Sequence, residues 1–118
     1  MSDRKPSELI KDILHSINRI SVYTQGLTFD MFIANYMVVE ACLYNVQIIG
    51  EAVSKLPNDV IRTEPSIPWV LIKGMRNRLV HEYFGTDTEI VWNVIQTELP
   101  LIKDDLHKIY DRLIAERK

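Results

Sequence analysis

The densest chemistry in the chain lies in Lys73-Gly74-Met75-Arg76-Asn77-Arg78-Leu79-Val80-His81-Glu82-Tyr83, where three cations, a histidine and a tyrosine crowd into one short stretch. An ordinary imidazole titrates at about pH 6.5, so His81 has both protonation states within reach near neutrality and can give or take a proton. A guanidinium can clamp a phosphate through two parallel hydrogen bonds and stabilise charge that develops on its oxygens, which is the part Arg76 is suited to play. Asn77 offers another donor, Lys73 and Arg78 supply local positive charge, and Tyr83 has a ring on which an unpaired base can stack. These groups hold the parts that metal-free RNA cleavage needs, although a lone histidine and arginine on a helix are more often plain surface residues. A base takes the 2′-hydroxyl proton, an acid protonates the departing 5′-oxygen, and a cation sits over the phosphoryl oxygens, leaving a 2′,3′-cyclic phosphate and a 5′-hydroxyl.

The stretch has to be positioned by helices. At about 100° per residue, Leu71, Ile72, Met75 and Leu79 share one side, the expected core face; Arg76 and Tyr83 fall nearly in line, and His81 lies about 140° round from Arg76 with Asn77 between them. Pro68 suits a first helical position and Gly85 a residue just past the end, so the motif helix is expected from there to Tyr83 or Phe84. Before it, Thr28 or Asp30 can cap a long helix to about Leu56 that is apolar nearly all round and therefore buried on several sides. A polar seam of Glu40, Gln47 and Glu51, flanked by Tyr44, runs along that helix. It reads either as a partly exposed stripe of structural ion pairs or as the group that faces Arg76 or His81 and orients them.

The arrangement Arg76, four residues, His81, one residue, Tyr83 resembles the signature of the HEPN superfamily, and more closely its HepT-like toxins. Ile49-Gly50-Glu51-Ala52, Ile67-Pro68-Trp69, Gly74-Met75-Arg76-Asn77, Val91-Trp92 and Leu99-Pro100 extend the likeness in order; residues 1 to 30 add little. The resemblance implies a metal-independent endoribonuclease, the toxin of a type II toxin–antitoxin pair, with Arg76 and His81 catalytic. It also implies a homodimer and a nucleotidyltransferase antitoxin of the MNT type that neutralises the toxin by attaching AMP to Tyr83. Tyr83 also has a plainer reading, as a ring packed on Trp69 or Phe84. A second class of function stays open for the whole chain: a non-catalytic helical module that binds nucleotide or docks a nucleotidyltransferase.

The remaining segments complete an all-α chain, expected as a four- to five-helix up-and-down bundle forming one HEPN-like domain over residues 1–118. Ser7 can cap a first helix carrying Ile10, Ile13, Leu14, Ile17 and Ile20 and ending near Gln25-Gly26. Residues 57–67 form a connector with room for one helical turn. Thr86-Asp87-Thr88-Glu89 has the form of a capping box before a last helix in which Trp92, Ile95, Leu99, Ile102, Leu106, Ile109 and Leu113 recur at bundle spacing. Pro100 should bend that helix.

Composition narrows the classes. With 118 residues and 47% hydrophobic content, a core can form without disulfides or a structural metal. The one cysteine, Cys42, reads as a buried thiol, and neither His15 nor His107 has partners at metal-ligand spacing, so no metal or other cofactor is expected. No apolar run approaches the roughly 20 residues of a membrane span and the start lacks a signal-peptide core, so a cytoplasmic location without membrane contact is expected. A net charge of -2 excludes a general nucleic-acid coat and confines RNA contact to a local cluster such as Lys73, Arg76 and Arg78.

Overall fold

The computed structural model describes residues 4–81 and 88–116, with the backbone alone of Met75 and of residues 77–81. The chain is all-α: helices α1 (Pro6–Thr24), α2 (Phe29–Ile33), α3 (Tyr36–Lys55), α4 (Asn58–Arg62), α5 (Trp69–His81), α6 (Thr88–Asn93) and α7 (Leu99–Glu116), with a π turn at Val94–Glu98 joining the last two. No strand occurs among the described residues.

α1 starts two residues earlier than its sequence suggests, capped at Lys5 and not at Ser7. Pro6 occupies the first turn, where its missing N–H would have had no partner, and the Lys5 backbone N–H donates to the Glu8 carboxylate at 2.9 Å. Ser7 therefore turns inward and is buried instead of capping. The expected stripe of Ile10, Ile13, Leu14, Ile17 and Ile20 is buried with Leu9, and the chain leaves the helix through Gly26, whose φ of +77° is a backbone state that glycine adopts without strain. α1 runs antiparallel to both main neighbours. Leu9 lies beside Ile48 and Ala52 of α3, while Pro6 and Ser7 lie by Leu113, and Ile17 and Ile20 by Ile95 and Leu99.

The single long helix expected from Thr28 or Asp30 to Leu56 is broken. Thr28 does cap, its hydroxyl accepting from the Met31 N–H at 3.2 Å, but the helix stops at Ile33 and Asn35 starts a new one. Asn35 is extended and its side-chain carbonyl accepts from the Val38 N–H at 3.2 Å, the competition with backbone bonding that makes asparagine a capping residue. The break leaves α2 free to seat the fully buried Phe32 against Trp92, ring centroids 4.9 Å apart, with Phe29 on the same indole at 6.2 Å. Nor is α3 buried all round. Val39, Cys42, Leu43, Val46, Ile49, Ala52 and Val53 form its core side, whereas Tyr36, Met37 and Tyr44 face outward. Burial pushes the Cys42 thiol up to about 11, which keeps it protonated and inert at neutral pH.

The connector is pinned at several points, and these set the start of α5. Val60 and Ile67 are buried, the Trp69 indole N–H donates to the Glu64 carbonyl at 3.1 Å, and Arg112 of α7 donates to the Thr63 hydroxyl at 2.6 Å. Beyond Trp69 the inward line of α5 differs from the expected one among the described side chains. Trp69 and Ile72 are buried and Arg76 half-buried on one line, while Leu71, expected in the core, is exposed.

Pro100 has a specific local consequence. It lacks the N–H that would reach Gln96, and its ring would press on that carbonyl, so the helix widens just before it. The Leu99 N–H reaches back five residues to Val94, and the Thr97 hydroxyl donates to the Asn93 carbonyl. Past the π turn, Ile102, Leu106 and Ile109 resume the buried seam as expected, with Leu113 partly buried at its end. The described residues include no helix long and apolar enough to cross a membrane.

Candidate active site

The site is built on a close approach of α3 and α5. Gly50 faces Arg76 across that contact, and a Cβ on Gly50 would overlap Arg76 Cβ and lie 2.5 Å from its Cγ. The arginine stem therefore occupies the space that any other residue at position 50 would fill. Passing over Gly50, the side chain delivers its guanidinium to the next residue of α3: Glu51 Oε1 accepts from Arg76 Nε at 2.9 Å and from Nη2 as well. Two N–H groups of one edge converge on one oxygen, which fixes the plane of the guanidinium. Both side chains are half-buried, 26% exposed for Arg76 and 39% for Glu51, so solvent screens the pair and its value is orientation more than stability.

The other expected site residues fall as follows. Lys73 lies one turn before Arg76 and is exposed. His81 is the last described residue of α5, five residues beyond Arg76; its side chain and those of Asn77 and Arg78 lie outside the described residues, as does all of Tyr83 together with the expected helix end near Gly85. Of the polar seam, Glu51 is the member seated on Arg76. Gln47 is exposed one turn back, and Glu40 is exposed eleven residues back, about 16 Å along the axis. No group of three or more His, Cys, Asp or Glu that would hold a metal ion occurs among the described residues.

One participant was not anticipated as a functional residue. Gly50 enters the sequence reading as part of the Ile49-Gly50-Glu51-Ala52 block, with no role of its own, although an isolated glycine in an apolar helix usually marks a close packing contact. That signal was present; what it could not reveal is which residue comes close.

A family model described as ribonuclease HepT-like matches residues 13–109. The chain belongs to the HepT-like ribonuclease family. Curated relatives of similar length agree: two proteins of Methanocaldococcus jannaschii, each named "Putative RNase", are 35% and 36% identical. The first alignment covers 90% of this chain and 97% of the relative, the second 92% and 90%. The "Probable ribonuclease HepT" of Thermococcus cleftensis is 32% identical over 90% of this chain and 96% of its own. No solved structure gives a significant match. The HepT-like match spans Gly50, Glu51, Arg76 and His81, so the whole α3–α5 contact lies inside the family unit.

The steric role of Gly50 is open to a direct check against the other glycine of the motif region. Gly50→Ala should force α3 and α5 apart and lower stability by about 1–3 kcal/mol, the usual cost of overpacking. A Cβ at Gly74 meets nothing within 4 Å among the described residues, so Gly74→Ala should stabilise by about 0.5–1 kcal/mol through the unfolded chain. Urea unfolding midpoints measure both; equal midpoints for the two variants would show that no close approach exists at Gly50.

Proposed function

We propose that this chain, acting as one domain, is a metal-independent endoribonuclease that cleaves single-stranded RNA, the toxin of a type II toxin–antitoxin pair. The observation that carries the reading is the seat of Arg76: stem over Gly50, guanidinium held by Glu51, on the helix that also carries His81. Membership of the HepT-like family supports it. In the reaction the ribose 2′-oxygen attacks the adjacent phosphorus, the bond from phosphorus to the 5′-oxygen breaks, and a 2′,3′-cyclic phosphate and a 5′-hydroxyl remain. His81 moves the protons, and Arg76 stabilises charge on the phosphoryl oxygens. Glu51 is a positioning residue that holds the arginine for that task, while Lys73, Asn77, Arg78 and Tyr83 support the RNA.

Two protons must move, one from the 2′-hydroxyl and one to the 5′-oxygen, and each subunit has a single histidine in the motif. A two-fold homodimer with the motif helices near the axis supplies a second His81 and completes the groove. The partner that silences the toxin is a nucleotidyltransferase antitoxin of the MNT type, which transfers AMP to Tyr83. The added anion and nucleoside would repel RNA and block its path by the same charge and bulk that make phosphorylation a switch.

Three measurements test this reading. On a defined single-stranded RNA, Arg76→Ala and His81→Ala should each lose at least about 100-fold in kcat, with cyclic-phosphate ends in the wild-type product and no effect of EDTA; full activity in both variants, or complete inhibition by EDTA, overturns the assignment. Light scattering at micromolar concentration should give a dimer, and a monomer that still cuts RNA removes the shared site. Incubation with the neighbouring nucleotidyltransferase and ATP should add one or more AMP groups by intact mass, absent in Tyr83→Phe. A gain that persists in that variant places the modification elsewhere.

A further inference from the structure

The face of α3 that carries Glu51 continues, on the side away from Gly50, into a groove of about 220 Å³ between α1 and α3. Leu9, Ile48 and Ala52 form its apolar floor, and Tyr44 and Lys55 stand on its rim with Glu51 between them. Tyr44, Glu51 and Lys55 are seven and four residues apart, which puts all three within about 40° of one helix face. Glu51 thus has two roles: its carboxylate holds Arg76, and it also lines the groove. Whatever lies in the groove is next to whatever Arg76 binds.

The chemistry of the rim suits a nucleotide. Tyr44 is 65% exposed, a flat aromatic surface left in water beside an apolar floor. The acids of the groove are already engaged, Asp12 with Arg4 at 2.7 Å and Glu51 with Arg76, whereas Lys55 has no ion-pair partner among the described residues. An aromatic ring with an uncommitted cation eleven residues on, about 16 Å along the helix, is a pattern that takes a base by stacking and a backbone phosphate further along the strand by charge. The volume suits one ring system. A protein partner, by contrast, covers an apolar patch of several hundred Å².

We propose that this groove is a nucleotide subsite of the RNA path, in which Tyr44 stacks on an unpaired base beside the scissile bond and Lys55 meets the backbone phosphate beyond it. The inference rests on the ribonuclease reading and extends it: substrate selection for single strands acts through Tyr44, because a paired base cannot offer its face to the ring. Two turns of helix, about 10 Å, separate Tyr44 from Glu51, a distance that a neighbouring nucleotide bridges.

Fluorescence anisotropy with a labelled single-stranded RNA of about twelve nucleotides tests it, in a His81→Ala background that leaves the probe intact. Tyr44→Ala and Lys55→Glu should each weaken Kd about tenfold, and Tyr44→Phe should keep the parent value. Lys55→Glu should also flatten the salt dependence of log K by about 0.7, the loss of one phosphate contact on a single strand. In the cleavage-competent chain both losses should fall on KM more than on kcat. Unchanged Kd in Tyr44→Ala and Lys55→Glu overturns the subsite, as does a Tyr44→Ala protein that binds RNA normally but loses its dimer, since the ring would then belong to a protein interface. A chain that binds RNA through Tyr44 and Lys55 yet cuts none keeps the groove and sinks the nuclease; one that cuts RNA with parental KM in both variants does the reverse. A chain that neither binds nor cuts single-stranded RNA ends both.

Discussion

The structure depends on the absence of one side chain. At Gly50 the two central helices approach until the stem of Arg76 lies where a Cβ would otherwise project. That contact decides several things together. It sets how closely α5 packs on α3, it keeps the aliphatic part of the arginine out of water, and it limits the guanidinium to the place where Glu51 can receive it. An arginine on an open helix face samples many rotamers, and ordering it on a phosphate costs conformational entropy at the moment of binding. Here that ordering is done in the fold.

The elements that hold this contact explain which parts of the chain announce themselves. The seam of Ile95, Leu99, Ile102, Leu106 and Ile109 was legible because burial on one side of a helix imposes its own period, and the residues obey it. The break at Asn35 was hidden by the apolar residues around it: hydrophobic pattern argued for continuity, and only the capping preference of a single asparagine argued against. Leu71 was misplaced for a related reason. Hydrophobicity alone puts it in the core, but Trp69 anchors the start of α5 to the Glu64 carbonyl and turns the helix so that a half-buried arginine takes the inward line and a leucine goes outside.

The site was legible to different depths. The spacing of Arg76 and His81 is a property of one helix and is visible in the sequence, and the resemblance to a known family came from that motif and the blocks around it. The pairing of Arg76 with Glu51 joins residues 25 positions apart and depends on how two helices cross, which no periodicity encodes. The seam of Glu40, Gln47 and Glu51 pointed to the correct helix without distinguishing its members. Crossing geometry selects Glu51 for Arg76, because Glu51 is the seam residue that directly follows the glycine on which the arginine stem lies.

In the proposed reaction Arg76 meets a phosphate, and the carboxylate beside it then needs a physical reason, since it repels the ligand that the arginine would attract. In a chain with net charge -2 the RNA is not held by a broad positive field, and Glu51 lowers the local attraction further. What it supplies is direction. Catalysis profits from interactions that strengthen as charge develops on the reacting phosphoryl group and gains nothing from holding substrate and transition state equally well. A guanidinium fixed in plane by Glu51 through Nε and Nη2 would, in the proposed reaction, be preorganised for the transition state, and the ground-state affinity that the carboxylate forfeits would then have to come from elsewhere on the path. An exposed tyrosine and an uncommitted lysine on the same face of α3 are placed to provide it at a distance from the reacting bond, where tighter binding does not oppose the chemistry.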